Sequence, residues 1–146
     1  MTNRDAAVAD LLGIRAGTTA TSPLGLVTTI ERGLPVSVLE RVSRRVAPTA
    51  TGFIVAKIIS KATLARRKQS AARRLSLPES DRVTRLARVW ALACDTWGTE
   101  EAARSFLFRS HPLLGGRQPI DVALTTGLGT QLVEDIIGRL KYGSAA

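Results

Sequence analysis

Apolar positions recur along most of the chain with the three- and four-residue spacing of helices, and few runs alternate as strands do. Leu24, Val27 and Ile30 have that spacing, Gly33 ends the helix they predict, and Pro35 fits the first turn of the next. In that next helix Val38, Leu39 and Val42 form an apolar stripe with Arg41, Arg44 and Arg45 towards solvent, and Pro48 stops it. Phe53 to Ile59 is almost wholly apolar and reads as a buried helix, since a lone strand has nothing to pair with. A short polar helix, about Ser60 to Gln69, follows with hardly any linker. Ser76, Pro78 and Glu79 form a capping box with a proline in the first turn. The helix it opens should reach Trp97, with Val83, Leu86, Trp90, Ala93 and Trp97 on one face. Gly98 ends it, and Thr99 caps the next, with Glu100 and Glu101 where the helix dipole favours negative charge. A Pro/Gly loop from His111 to Gly116 leads to Pro119 and a short helix to about Thr126. Gly127 and Gly129 precede a last helix in which Leu132, Val133, Ile136, Ile137 and Leu140 share a face.

The pattern predicts an all-α fold in four segments. Residues 1–22, weakly amphipathic around Val8, Leu11 and Leu12, read as a flexible arm. A helix-turn-helix region over 23–75, a connecting core helix over 76–98 and a small helical C-terminal domain over 99–146 follow. Composition adds that 45% hydrophobic residues suffice for a core. Charge changes the picture more. The formal +9 is concentrated in residues 60–94, with nine basic and two acidic side chains, whereas residues 95–146 carry five and six. A basic block joined to a neutral one suggests two surfaces with two kinds of partner.

One cysteine and one histidine leave no internal disulfide and no closed metal site to assemble, and no motif for catalysis or nucleotide binding is present. No enzymatic activity, cofactor or metal is therefore expected. No apolar run reaches the ~20 residues of a membrane span, and the first residues lack the pattern of a signal peptide. A cytoplasmic protein without membrane contact is expected.

Three groups of residues carry candidate chemistry. Thr51 to Lys68 has the layout of a helix-turn-helix, in which Ser60, Lys61, Thr63, Arg66, Arg67 and Lys68 would meet DNA while Ile59 and Leu64 hold the second helix on the core. A solvated basic helix is the competing reading. Ile58 stands where such turns often have a glycine, and requires ordinary backbone geometry there. Arg73, Arg74, Arg82, Arg85 and Arg88 either extend a phosphate-binding surface or form a plain solvated face. In the C-terminal third, Leu113, Leu114, Ile120 and Leu124 surround two glycines, and Lys141, Tyr142 and Gly143 follow the last helix. These form a partner-binding surface, or else an ordinary helix connection and a helix-end tyrosine. His111 reads as a loop histidine, Cys94 as a small core residue, and Trp90 and Trp97 as core.

Taken in order, Gly33-Leu34-Pro35-Val36, Thr63-Leu64-Ala65-Arg66-Arg67-Lys68, Leu77-Pro78-Glu79-Ser80-Asp81-Arg82, Arg85-Leu86-Ala87-Arg88 and Glu101-Ala102-Ala103 form a series. It continues through Pro112-Leu113-Leu114-Gly115-Gly116, Pro119-Ile120-Asp121, Thr126-Gly127, Val133-Glu134 and Lys141-Tyr142-Gly143. Over about residues 24–143 the chain resembles the Xre/MbcA/ParS antitoxins, partners of RES-domain toxins in type II toxin–antitoxin pairs. Ile58 and Ser105-Phe106-Leu107 depart from the usual pattern.

The resemblance implies an Xre-like helix-turn-helix domain followed by a toxin-binding domain over 99–146. It also implies neutralisation of an NAD⁺-consuming RES toxin by covering its active site, and autoregulation of the operon as a repressor. The toxin-binding residues implied are Pro112, Leu113, Leu114, Gly115, Gly116, Lys141, Tyr142 and Gly143. The expected partners are a RES-domain toxin and operator DNA, bound by a homodimer or a larger toxin–antitoxin assembly. The alternatives are a stand-alone helix-turn-helix regulator whose C-terminal domain dimerises, and a toxin-binding module that has lost operator binding.

Overall fold

The computed structural model describes residues 3–15 and 22–143, and these contain nine α-helices and no β-strand. The chain divides into two compact units, Met1–Ala87 and Arg88–Ala146, with the boundary inside one long helix.

The first unit holds α1 (Asn3–Leu11), α2 (Pro23–Arg32), α3 (Val36–Val46), α4 (Thr51–Ile58), α5 (Lys61–Gln69) and the start of α6 (Leu77–Trp97). Ser22 caps α2, its hydroxyl accepting the Gly25 N–H at 3.0 Å. α3 buries the expected stripe, Val38, Leu39 and Val42, and adds Val36 and Val46 to it. α4 is helical as expected, but it buries only Ile54 and Ile58. Phe53 and Lys57, four residues apart, share the other side, with the ammonium 4.6 Å from the centre of a half-exposed ring. Part of the segment read as an arm is ordered: α1 buries Val8 and Ala9, Leu12 follows them into the core, and Arg41 donates to the Leu11 carbonyl at 3.1 Å. Residues 16–21 of that segment lie outside the described residues. α2 buries none of its side chains, and Leu24 and Val27, which have the helical spacing of an apolar face, are exposed.

Two loops, residues 33–36 and 73–75, brace one another. Val36 N–H donates to the Arg73 carbonyl at 3.0 Å and Leu75 N–H to the Leu34 carbonyl at 2.8 Å. The Ser80 hydroxyl accepts the buried Leu34 N–H at 2.8 Å, and Arg74 donates to the Gly33 carbonyl at 2.7 Å. These bonds satisfy backbone groups that burial would otherwise leave unpaired. Gly33 is required twice over: its φ is +88°, and a Cβ there would lie 2.3 Å from the Leu75 carbonyl oxygen.

The second unit holds the rest of α6, then α7 (Glu100–Leu107), a 3₁₀ turn (Pro112–Leu114), α8 (Pro119–Thr125) and α9 (Gly127–Lys141). Trp90, Ala93, Ala103, Leu107, Ile120, Leu124, Val133, Ile136 and Ile137 fill its core. Trp97, also read as core, is half-buried and stacks on Phe106 with ring centres 4.4 Å apart. Gly127 and Gly129 do not precede α9 but form its first turn, capped by Thr126, which accepts the Gly129 N–H at 2.9 Å. Gly129 is there for space, because a Cβ would meet the Val122 carbonyl oxygen at 2.1 Å. That close approach sets α8 tightly against α9. Leu132 and Leu140, expected in the core, are 44% and 48% exposed, so the buried face of α9 is narrower than the apolar pattern.

Candidate functional site

α4 and α5 are joined by Ile59 and Ser60, both extended, and no residue between the helices has a positive φ. Ile58 therefore needs no glycine-like geometry. It is the last residue of α4 and points into the core. Ser60 caps α5: its hydroxyl accepts the Thr63 N–H at 3.2 Å and donates to the Thr63 hydroxyl at 2.8 Å. Arg66 donates to the same Thr63 oxygen at 3.2 Å, so Ser60, Thr63 and Arg66 form one hydrogen-bonded row along the helix.

α5 buries no side chain fully. Thr63, Leu64 and Arg67 are its half-buried positions, which leaves Ala62, Ala65, Arg66 and Gln69 on the exposed face with Lys61 beside them. The sequence pattern did not single out the two alanines or Gln69. Small side chains next to an Arg and a Gln let a helix backbone come close to base edges, which Arg and Gln pair with bidentately.

The six candidates on this helix separate into two kinds. No described carboxylate pairs with Lys61 or Arg66, while Ser60 is exposed and Thr63 half-buried, their hydroxyls bonded to each other. Lys68 is paired with Glu40 of α3 at 2.6 Å. Arg67 turns inward and grips both oxygens of Glu79, at 3.1 and 3.2 Å. Glu79, the third residue of α6, closes its capping box: it accepts the Ser76 N–H at 2.9 Å, and its own N–H donates to Ser76 Oγ at 3.3 Å. Burial pushes the Glu79 carboxyl up, but the hydrogen bonds from Arg67 and Ser76 and the Arg67 charge outweigh it and leave it below its ordinary value. The same contact holds the Arg67 guanidinium above its ordinary value. Arg67 is thereby a clamp between α5 and the start of α6.

The second group of arginines is largely committed within the protein. Arg74 and Arg82 donate to the carbonyls of Gly33 and Ile58, Arg85 pairs with Asp81, and Arg88 pairs with Glu134. Arg73 is exposed, in a left-handed conformation with φ +49°. The first unit carries fifteen basic and six acidic side chains, a formal +9, while the second carries six of each. The whole net charge thus belongs to the unit that contains α5.

In the second unit the loop between α7 and α8 sends its two leucines opposite ways. Leu114 is 7% exposed and Leu113 is 65% exposed. Gly115 and Gly116 both have positive φ, +64° and +81°, and Pro112, Gly115 and Gly116 are at the surface. At the far end of α9, Lys141 is ion-paired with Asp95 and its ammonium lies 5.4 Å from the centre of the Tyr142 ring. Tyr142 is 78% exposed, and Gly143 follows it with φ +76°. Leu128 and Leu132, one turn apart on the outer side of α9, add two exposed apolar side chains that the sequence pattern assigned to no surface. Leu132 lies on the same half of the helix as the buried Val133, Ile136 and Ile137, so spacing alone groups it with them.

Among the described residues no group of His, Cys, Asp or Glu could hold a metal ion, and no helix is long and apolar enough to cross a membrane.

Residues 92–143 match the sequence profile of the antitoxin Xre/MbcA/ParS C-terminal toxin-binding domain. The matched segment includes the 112–116 loop, the exposed Leu128, Leu132 and Leu140 of α9, and Tyr142. The chain is also 32% identical over 120 residues to antitoxin Xre of Yersinia enterocolitica serotype O:8 / biotype 1B, a match that spans 81% of this chain and 79% of that protein. The similarity therefore runs through the basic unit as well as the neutral one, and the chain belongs to the Xre/MbcA/ParS antitoxin family.

Proposed function

We propose that this chain is the antitoxin of a RES-type pair and neutralises its toxin by covering the active site at which the toxin consumes NAD⁺. The observation that carries this reading is the match of residues 92–143 to a toxin-binding domain. It falls on a neutral unit with apolar side chains on its surface, a composition suited to protein partners. Leu113, with Pro112, Gly115 and Gly116 around it, forms one contact, anchored from beneath by Leu114. Lys141, Tyr142 and Gly143 form another, with the tyrosine ring offered beyond the end of α9.

The basic unit serves operator DNA. α5 lies in the major groove with Lys61 and Arg73 on phosphates, Ser60 and Thr63 beside them, and Arg66 towards base edges. Arg67 and Lys68 act indirectly, fixing α5 to α6 and α3. A dimer, alone or within a toxin–antitoxin assembly, would match paired half-sites about one helical turn apart, so that the complex represses its own operon from the cytoplasm.

A growth test in a bacterial host checks the antitoxin reading. The RES-domain gene beside this one is expressed alone, with the full chain, and with the chain cut after Gly98. Toxicity, rescue and loss of rescue are the expected results in that order. A harmless neighbour points instead to a stand-alone regulator, and rescue by the cut chain moves the toxin contact onto the helices before Gly98.

A further inference from the structure

Leu113 is held in place by a side chain that sequence patterning left as an ordinary loop residue. His111 precedes the 3₁₀ turn with extended backbone (φ −123°, ψ 131°), and its Nδ1 accepts the Leu113 N–H at 3.1 Å. Its carbonyl accepts the N–H groups of Leu114 and Gly116, both at 3.0 Å, and its own N–H donates to the Arg117 carbonyl at 3.1 Å. Gly115 N–H reaches the Pro112 carbonyl at 3.2 Å and Arg117 N–H the Leu114 carbonyl at 3.2 Å. Every backbone N–H from Leu113 to Arg117 is therefore satisfied inside the loop, and His111 accepts three of the five bonds. The imidazole is itself fixed, edge-on to Phe106 with ring centres 5.9 Å apart, and Phe106 stacks on Trp97.

A single exposed leucine is ordinary on a protein surface. What distinguishes Leu113 is that the backbone beneath it has no unmade N–H bond and turns through two left-handed glycines. An apolar anchor that is already ordered avoids much of the entropic cost of fixing a loop at binding. We propose that His111 is a positioning residue for toxin binding, acting through Leu113: Nδ1, unprotonated, holds the Leu113 N–H so that the leucine enters an apolar pocket of the toxin without rearrangement. The inference rests on the toxin-binding reading of this unit. It places the functional hydrogen bond on Nδ1 and the proton on Nε2.

The test measures the Kd for the RES-domain protein encoded beside this gene, with four variants of the full chain. An asparagine in place of the histidine reproduces the acceptor, since its side-chain oxygen bonds the N–H two residues on as Nδ1 does. His111→Asn should stay within about threefold of the unmodified chain, whereas His111→Phe, which keeps a ring against Phe106 but has no acceptor, should lose roughly tenfold. Leu113→Ala should lose roughly tenfold to thirtyfold. The double variant His111→Phe with Leu113→Ala should lose little more than Leu113→Ala alone, because both act through one contact. Long-range NMR of the imidazole should show the Nε2–H form. Losses that multiply, a Phe variant that binds as well as the unmodified chain, or an Asn variant as weak as the Phe variant would overturn the inference while leaving toxin binding intact. Failure of the unmodified chain to bind the RES-domain protein would overturn the toxin reading and this inference together.

Discussion

The two units use the same helical construction and present opposite surfaces. Residues 1–87 hold the entire +9 charge, whereas residues 88–146 are formally neutral. Large exposed apolar side chains occur in both, but in the neutral unit they include Leu113, Leu128, Leu132, Leu140 and Tyr142 within a shorter stretch of chain. The difference teaches that the units are suited to partners held by different forces. A polyanion is gripped by displacing counterions, so its affinity depends steeply on salt. A protein surface held by apolar anchors responds to salt far less.

Substitution at the two crowded glycines should break the comparison most sharply. Gly33→Ala places a Cβ 2.3 Å from the Leu75 oxygen at φ +88°, and Gly129→Ala places one 2.1 Å from the Val122 oxygen. Each should cost more than about 2 kcal/mol of stability. Thermal denaturation gives that cost. Parallel binding assays should show Gly33→Ala impairing promoter binding more than toxin binding, and Gly129→Ala the reverse.

Salt sharpens the same contrast. With Lys61 and Arg73 on phosphates, raising salt from about 50 to about 200 mM should weaken promoter binding by roughly tenfold per chain. Toxin affinity over the same range should change by no more than about twofold, read by titration calorimetry.

A smaller effect separates Lys61 from Arg67. Lys61→Ala should reduce the slope of log affinity against log salt by about 1 and leave the melting temperature unchanged. Arg67→Ala leaves the buried Glu79 without its guanidinium, and should lower the melting temperature by a few degrees, about 1 kcal/mol. Equal losses of DNA affinity without any change in melting would return Arg67 to the DNA contacts.

The smallest effect is acid sensitivity. The Glu79 carboxyl lies below its ordinary value of 4.5 when folded, so the folded unit favours its charged form more than the unfolded chain does. The stability this supplies is present above about pH 4.5 and is lost as pH falls through the folded value. Denaturant melts at descending pH should show that loss in the unmodified chain and a weaker one in Glu79→Gln.

Much of this architecture is legible in the sequence because capping residues and periodicity are local signals. Thr99 and the Ser76/Glu79 box mark helix starts, and both cap as read; Ser60, read as a DNA contact at the start of its helix, also caps it. Long-range pairings are not legible. Nothing in the spacing of Arg67 and Glu79 distinguishes a clamp from two solvated charges, and only the fold brings them together. The same holds for Lys68 with Glu40, and for the arginines bound to carbonyls at Gly33 and Ile58. Ile58 misleads because a glycine is expected at a place where the extended Ile59 and Ser60 do the turning instead. α9 misleads in the other direction: its apolar residues spread over a wider arc than the face that is buried, and periodicity alone does not say that Leu132 and Leu140 face outward. His111 escapes a sequence reading because its role depends on which ring nitrogen meets which N–H.

The most direct measurement is a double dissociation on the full chain, with toxin and promoter DNA binding measured for Leu113→Asp and for Lys61→Ala combined with Arg66→Ala. The expected result is that Leu113→Asp loses toxin affinity by at least about tenfold and keeps promoter affinity, while the α5 variant does the opposite. A single variant that loses both partners while remaining folded, or an α5 variant that binds its promoter unchanged, would contradict the assignment of one partner to each unit.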